Sequence, residues 1–200
     1  MKIGIFGGSF NPIHYGHLVL AEHSRDAAGL DRVILIPAYE SPFKKGTGGE
    51  SSIHNLEMTR LAIEGNAFMD VSSIEVDKGE MSYTVDTMRF IKKRCGPDDK
   101  LYFIMGADSF MGLESWMGAE ELLRNYSFVV GRRPGCEAGK LDETADWLRE
   151  KYGADIKVVP VPQVDISSTD IRERFRTGKS VKYLTPDSVI EYAAQHRLYK

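Results

Sequence analysis

Lys2-Ile3-Gly4-Ile5-Phe6-Gly7-Gly8-Ser9-Phe10-Asn11-Pro12-Ile13-His14-Tyr15-Gly16-His17 is the stretch whose reading decides the fold. Ile3, Ile5 and Phe6 make a short apolar run that predicts a buried strand. Gly7-Gly8-Ser9 follows at once, and glycines there let the chain turn tightly and let an anion approach main-chain N–H groups. Asn11-Pro12 continues the turn, after which Leu18, Val19, Ala21 and Glu22 read as helix. A strand that runs through such a loop into a helix N-terminus favours phosphate. His14 and His17 are three apart, so on a helical first turn they share a face and can donate to one phosphate. The same spacing is half of a metal site, but no Cys, Asp or Glu stands at ligand spacing beside it. A histidine near a helix start is also commonly a polar surface residue. No Gly-Lys-Ser/Thr follows the turn and no G-x-G-x-x-G is present, which sets aside the Walker A loop and the dinucleotide fingerprint.

Working outward, 200 residues suffice for one domain with a sizeable core, and 42% hydrophobic with 28% charged residues is the balance of a soluble globular chain. A formal charge of -3 provides no long-range attraction to nucleic acid or anionic membrane, so phosphate binding must come from local geometry. No signal peptide and no apolar run of membrane-spanning length is found. The chain therefore reads as cytoplasmic, without a nucleic-acid or membrane partner, and a homo-oligomer stays open. Cys95 and Cys136, far apart, are expected as reduced thiols.

The remaining pattern alternates. Strands are expected over 32–37, 69–76, 100–106, 126–131 and 155–159. Helices are expected after Ser51 or Ser52, from Ser82 or Thr84 as caps, in two short pieces over 107–125, and over 141–152, 167–176 and from Thr185-Pro186 onward. This is the signature of an α/β fold: a Rossmann-like, doubly wound parallel sheet with helices on both faces. Ligands then sit at the carboxyl ends of the strands, which Gly7, Pro37, Gly106 and Gly131 follow directly. No linker divides the chain, so one domain is expected over 1–200, with a helical appendage from about Ile166.

Ile166-Ser167-Ser168-Thr169-Asp170-Ile171-Arg172 is the second informative stretch. Three hydroxyls open a helix bearing Arg172 in its first turn. Simple capping explains them; so does an anion site of N–H groups, hydroxyls and a guanidinium. Thr177-Gly178-Lys179-Ser180 contains Gly-Lys-Ser but follows a helix, with Glu173 where a Walker glycine belongs, and reads as an exposed loop.

Residues 8–17 and 166–172 together resemble the nucleotidyltransferase superfamily, with its G-x-F-x-P-x-H-x-G-H and I-S-S-T-x-I-R phosphate motifs. Within it, the chain resembles the bacterial nicotinate-nucleotide adenylyltransferases over nearly its whole length. That resemblance rests also on Ser82-Tyr83-Thr84-Val85-Asp86-Thr87, Gly106-Ala107-Asp108, Trp116, Gly131-Arg132-Arg133-Pro134-Gly135 and the tail from Val189 to Tyr199. It implies adenylyl transfer from ATP to nicotinate mononucleotide, yielding deamido-NAD and pyrophosphate. It implies a nucleotidyltransferase-type sheet, with Mg²⁺ carried on the ATP phosphates and no protein-held metal.

The implied ATP contacts are Gly8, Ser9, Phe10, His14, His17, Gly106, Asp108, Ser168, Thr169 and Arg172. The implied mononucleotide contacts are Ser9, Lys44, Thr84, Trp116 and Arg133, with Trp116 stacked on the pyridine ring and N–H groups near Thr84 and after Trp116 on its carboxylate. His14, His17, Lys44 and Arg172 would serve the reaction itself. Trp116 could instead be core, Thr84 a cap, and Asp108 the N-cap of its helix. Relatives usually carry Pro-Pro-His-Lys where this chain reads Ser41-Pro42-Phe43-Lys44, so whatever that histidine does is lost or done elsewhere. The competing readings are another acceptor, nicotinamide mononucleotide or phosphopantetheine, and a nucleotide-binding module without catalysis.

Overall fold

Six strands form one sheet in the order β3-β2-β1-β4-β5-β6 in the computed structural model, which describes residues 1–42, 48–132 and 138–200. They are β1 (Lys2–Gly8), β2 (Arg32–Pro37), β3 (Met69–Val71), β4 (Lys100–Gly106), β5 (Ser127–Arg132) and β6 (Asp155–Pro160). The helices are α1 (Tyr15–Ala28), α2 (Glu50–Ile63), α3 (Ile74–Lys78), α4 (Thr84–Lys92), α5 (Ala107–Met111), α6 (Ala119–Asn125), α7 (Ala138–Tyr152), α8 (Ser168–Arg176) and α9 (Asp187–Gln195). A 3₁₀ turn occupies Leu113–Ser115.

The strand order is that of the doubly wound Rossmann arrangement expected from the alternation, and it reverses between β1 and β4. Pairing is parallel where β1 meets β4 (Ile3 opposite Leu101, Ile5 opposite Phe103), β4 meets β5 (Phe103 opposite Phe128) and β5 meets β6 (Val130 opposite Val158). The first five residues of β5 are buried without alternation, as a strand covered on both faces requires.

By their contacts the residues group into two compact units. The first comprises Met1–Gly7, Leu20–Ile34 and Tyr83–Gln163; the second comprises Gly8–Val19, Leu35–Ser82 and Val164–Lys200. The first has its core on β4 and β5, where Phe103, Ile104, Phe128 and Val129 are buried, and on α7, where Leu141, Ala145 and Leu148 are buried. In the second, α2 packs on α9, and Met58 and Val189 are fully buried.

Three local expectations need correction. The stretch 69–76 is strand only to Val71; Ile74–Lys78 turns helical, and the left-handed Gly79 stops it. Neither Ser51 nor Ser52 caps α2: Gly49 holds the cap position, and the Ser52 hydroxyl donates to its carbonyl at 2.6 Å. Neither Ser82 nor Thr84 caps α4: Tyr83 stands there, Thr84 opens the helix, and the Ser82 hydroxyl accepts from the Tyr39 N–H at 3.1 Å. A hydroxyl within reach of a helix start goes where the strongest unmet backbone partner lies, and these were drawn elsewhere.

Candidate active site

One cluster of the expected residues lies wholly in the second unit. From Gly8 the chain enters the loop 9–14 and then α1, whose first turn is anchored by the His14 carbonyl, accepting from His17 N–H at 2.9 Å and Leu18 N–H at 3.2 Å. The helical turn does what the three-residue spacing predicts. The two imidazoles stack with centroids 3.7 Å apart, and Phe10 meets His17 edge-on at 5.1 Å. His14 is buried and His17 half-buried.

The His14 backbone N–H donates to Nδ1 of His17 at 3.3 Å. A backbone N–H is always a donor, so that Nδ1 is an acceptor and Nε2 carries the proton of the neutral ring. His17 is thereby set to donate outward from Nε2. Gly16 makes the stacking possible: a Cβ there would stand 3.0 Å from Nδ1 of His14.

The second motif closes on this loop. Ser167 caps α8, accepting from Asp170 N–H at 3.1 Å, so the capping explanation holds for that hydroxyl. Ser168 donates its hydroxyl to the Pro12 carbonyl at 2.9 Å, and Arg172 donates from one guanidinium nitrogen to the Asn11 carbonyl at 2.7 Å and from the other to Thr169 Oγ1 at 3.2 Å. The Ser168 hydroxyl proton is therefore spent on the loop; what Ser168 can still offer an anion is its main-chain N–H at the opening of a nine-residue helix. Thr169 keeps its hydroxyl proton, and Arg172 keeps donors beyond the two in use.

Sequence reasoning missed three residues of this corner. Thr185, buried and expected only to open the last helix, donates to the Ile13 carbonyl at 2.7 Å. Leu184 accepts from the Tyr15 N–H at 3.1 Å. Tyr199 donates to Oδ1 of Asn11 at 2.7 Å. Nothing in the spacing signals these bonds, because each spans more than 165 positions of chain; the sequence shows Thr185 only as a helix opener and Tyr199 only as part of the family-like tail. The Gly-Lys-Ser stretch falls in the exposed segment after α8, as its context predicts.

A second cluster lies in the first unit. Gly106 is the N-cap of α5 in extended backbone, and Asp108 is exposed in the first turn rather than the cap itself. Trp116 is half-buried, edge-on to Phe103 with centroids 6.0 Å apart. Thr84 is the first residue of α4. The chain just after Trp116 and this helix start are in close contact: Gly118, at φ 70, comes so near Val85 that a Cβ would stand 2.8 Å from its methyl carbon. So the chain that follows the Trp116 ring is brought to a helix N-terminus, and an aromatic ring with N–H donors suits a flat ring bearing a carboxylate. Lys44 and Arg133 lie outside the described residues, as does Cys136; Cys95 is a free thiol whose pKa is pushed up by burial. Among the described residues no group of three His, Cys, Asp or Glu is arranged to hold a metal, and no helix is long and apolar enough to cross a membrane.

Comparison with known proteins is consistent over the whole chain. A family model described as cytidylyltransferase-like matches residues 5–174. A protein of Thermoanaerobacter sp. (strain X514) named probable nicotinate-nucleotide adenylyltransferase is 45% identical over 200 residues, covering 100% of this chain and 95% of that protein. One of the same name from Roseiflexus sp. (strain RS-1) is 42% identical, covering 99% and 98%. In fold, the chain is similar to Plasmodium falciparum nicotinic acid mononucleotide adenylyltransferase complexed with NaAD, with a TM-score of 0.80 at 20% identity, covering 99% of this chain and 97% of that one.

Proposed function

From the premise that this chain belongs to the nicotinate-nucleotide adenylyltransferases of the cytidylyltransferase-like family, we propose the following assignment of its residues to the reaction. The enzyme transfers the adenylyl group of ATP to the phosphate of nicotinate mononucleotide, a step of NAD biosynthesis. An oxygen of the mononucleotide phosphate forms a bond to the α-phosphorus of ATP; the bond from that phosphorus to the bridging oxygen of the β-phosphate breaks, and pyrophosphate leaves with the electron pair.

A phosphate monoester has its second pKa near ~6, so the nucleophile is already ionised at neutral pH and needs no general base. What remains is to hold two anions together and to stabilise charge on the departing phosphates. We assign the N–H groups of Gly8, Ser9 and Phe10 with His14 and His17 to the α- and β-phosphates. Thr169, Arg172 and the N–H of Ser168 take the β- and γ-phosphates. Gly106 and Asp108 hold the adenosine ribose. Trp116 stacks on the pyridine, the start of α4 at Thr84 takes its carboxylate, and Ser9, Lys44 and Arg133 complete the mononucleotide contacts.

ATP enters as its magnesium complex, in which the ion offsets phosphate charge. The donor set described at the phosphate corner consists of imidazole, guanidinium, hydroxyl and N–H groups, which suit phosphate oxygens, so the ion would be held through the ATP phosphates. Both substrates are nucleotides of the cell interior, which carries a cytoplasmic location with the reading.

The observation that supports these roles most is the binding of Asn11 and Pro12 by Arg172 and Ser168, which ties two donor-bearing corners into one. The test is pyrophosphate release from Mg-ATP across a panel of acceptors. Turnover with nicotinate mononucleotide well above that with the amide or with phosphopantetheine is expected; equal turnover of acid and amide would overturn the carboxylate assignment.

A further inference from the structure

We propose, building on that assignment, that Tyr199 is a positioning residue for ATP: its hydroxyl fixes Asn11 so that the loop 8–12 presents its N–H groups to the triphosphate. Asn11 is gripped at two points. Arg172 holds its backbone carbonyl at 2.7 Å, and Tyr199 holds its side-chain Oδ1 at 2.7 Å. Arg172 also has to serve phosphate, so its hold on Asn11 competes with its role in catalysis. Tyr199 has no such second duty. Its ring is seated against Phe175 of α8 with centroids 5.6 Å apart, and its oxygen lies 3.9 Å from the sulfur of the buried Met58. Burial pushes its phenol above the usual tyrosine range, so the hydroxyl stays a donor throughout the neutral range.

Backbone strain marks both sides of this bond. Phe10, next to Asn11, has φ 44; Tyr199 has φ 64 and Arg197 φ 54. Bulky residues in the left-handed region are strained and persist only where the surroundings over-determine them. A tail whose only task was to cover α2 and α8 would have no need of two such residues within three positions. Strain spent on aiming one hydroxyl at one loop side chain is accounted for if that loop must hold a single shape when ATP arrives.

The test compares the wild type with Tyr199→Phe, Asn11→Ala and the double variant. The readouts are calorimetric binding of a non-hydrolysable ATP analogue, the KM for each substrate, and the unfolding midpoint. Tyr199→Phe keeps the ring on Phe175 and removes only the donor. Its analogue affinity should fall about 3–10-fold and the KM for ATP rise by the same factor, while the KM for nicotinate mononucleotide stays within about twofold. The double variant should be no weaker than the weaker single one within about twofold, since both remove the same bond. Unchanged ATP affinity in Tyr199→Phe, equal changes for both substrates, or factors that multiply in the double variant would each overturn the proposal. Should Tyr199→Phe not fold, Asn11→Ala decides alone: it must show the selective ATP loss. A wild type that binds the analogue yet forms no dinucleotide would sink the proposed function, and the binding measurements would still decide the role of Tyr199.

Discussion

Two loops leave the carboxyl ends of neighbouring strands, and they are held in opposite ways. The loop after β1 is fixed from afar: Ser168, Arg172, Thr185 and Tyr199 donate to Pro12, Asn11, Ile13 and Asn11 across 156 to 188 positions. The segment after β4 fixes itself. Gly112 N–H reaches Ser109, Ser115 N–H reaches Gly112, Trp116 N–H reaches Leu113 and Ala119 N–H reaches Trp116, all within three residues. Locally closed turns need only short-range chemistry to form. A loop fixed by distant side chains has a defined shape only when the rest of its unit is folded. The loop after β1 is thus a grip that depends on tertiary structure, and the segment after β4 a ring platform that is largely self-supporting.

The largest expected effect tests the grip itself. His17→Ala should leave circular dichroism and the unfolding midpoint close to wild type and lower kcat by about 10²–10³, the cost of one preorganised donor to developing charge. Normal turnover would mean that the remotely fixed loop is not the catalytic one. Trp116→Ala addresses the other loop: mononucleotide binding should weaken by about 1–3 kcal/mol, read by calorimetry, with ATP affinity little changed. Equal loss for both substrates would assign Trp116 to packing.

The contrast between the two modes of support is sharpened by a matched pair. Thr185→Val leaves the Ile13 carbonyl buried without its donor and should cost about 1–3 kcal/mol in denaturant unfolding. Ser115→Ala removes an exposed local bond to the Gly112 carbonyl and should stay within about 0.5 kcal/mol. Similar costs would dissolve the comparison.

A comparably small effect belongs to neither loop. At the opposite ends of the strands, Lys100 and Ser127 bind Asp155 and hold its carboxyl below the usual carboxylate range. A depressed carboxylate contributes stability above its unfolded pKa near ~3.9 and loses it as pH falls through the lower folded value. The pair is half-exposed, so Asp155→Asn should cost only about 0.2–1 kcal/mol at pH 7 and nothing at a pH below the folded value.

What the sequence revealed follows the same division. The apolar runs 32–37 and 100–106 mark their strands to the residue, because a buried parallel strand needs only its own side chains to be recognisable. The two phosphate motifs stand out because an anion demands glycine, histidine and hydroxyls at fixed local spacing. The caps of α2 and α4 were not legible: Ser52 turned to a carbonyl, and Ser82 to Tyr39, 43 positions away. Ser168 shows the limit most plainly. Its hydroxyl looks like a phosphate ligand until Pro12, 156 residues earlier, is found to take it. A one-dimensional pattern carries the type of a donor but not the acceptor it will meet.

The separation of 161 positions between Asn11 and Arg172 has a consequence during biosynthesis. At about 5–20 residues per second, roughly 8–30 s of translation separate the emergence of the phosphate loop from that of the groups that shape it. A nascent chain on the ribosome can therefore expose the glycines and histidines well before it can clasp a nucleotide, and competence to bind arrives only with the late-emerging segment.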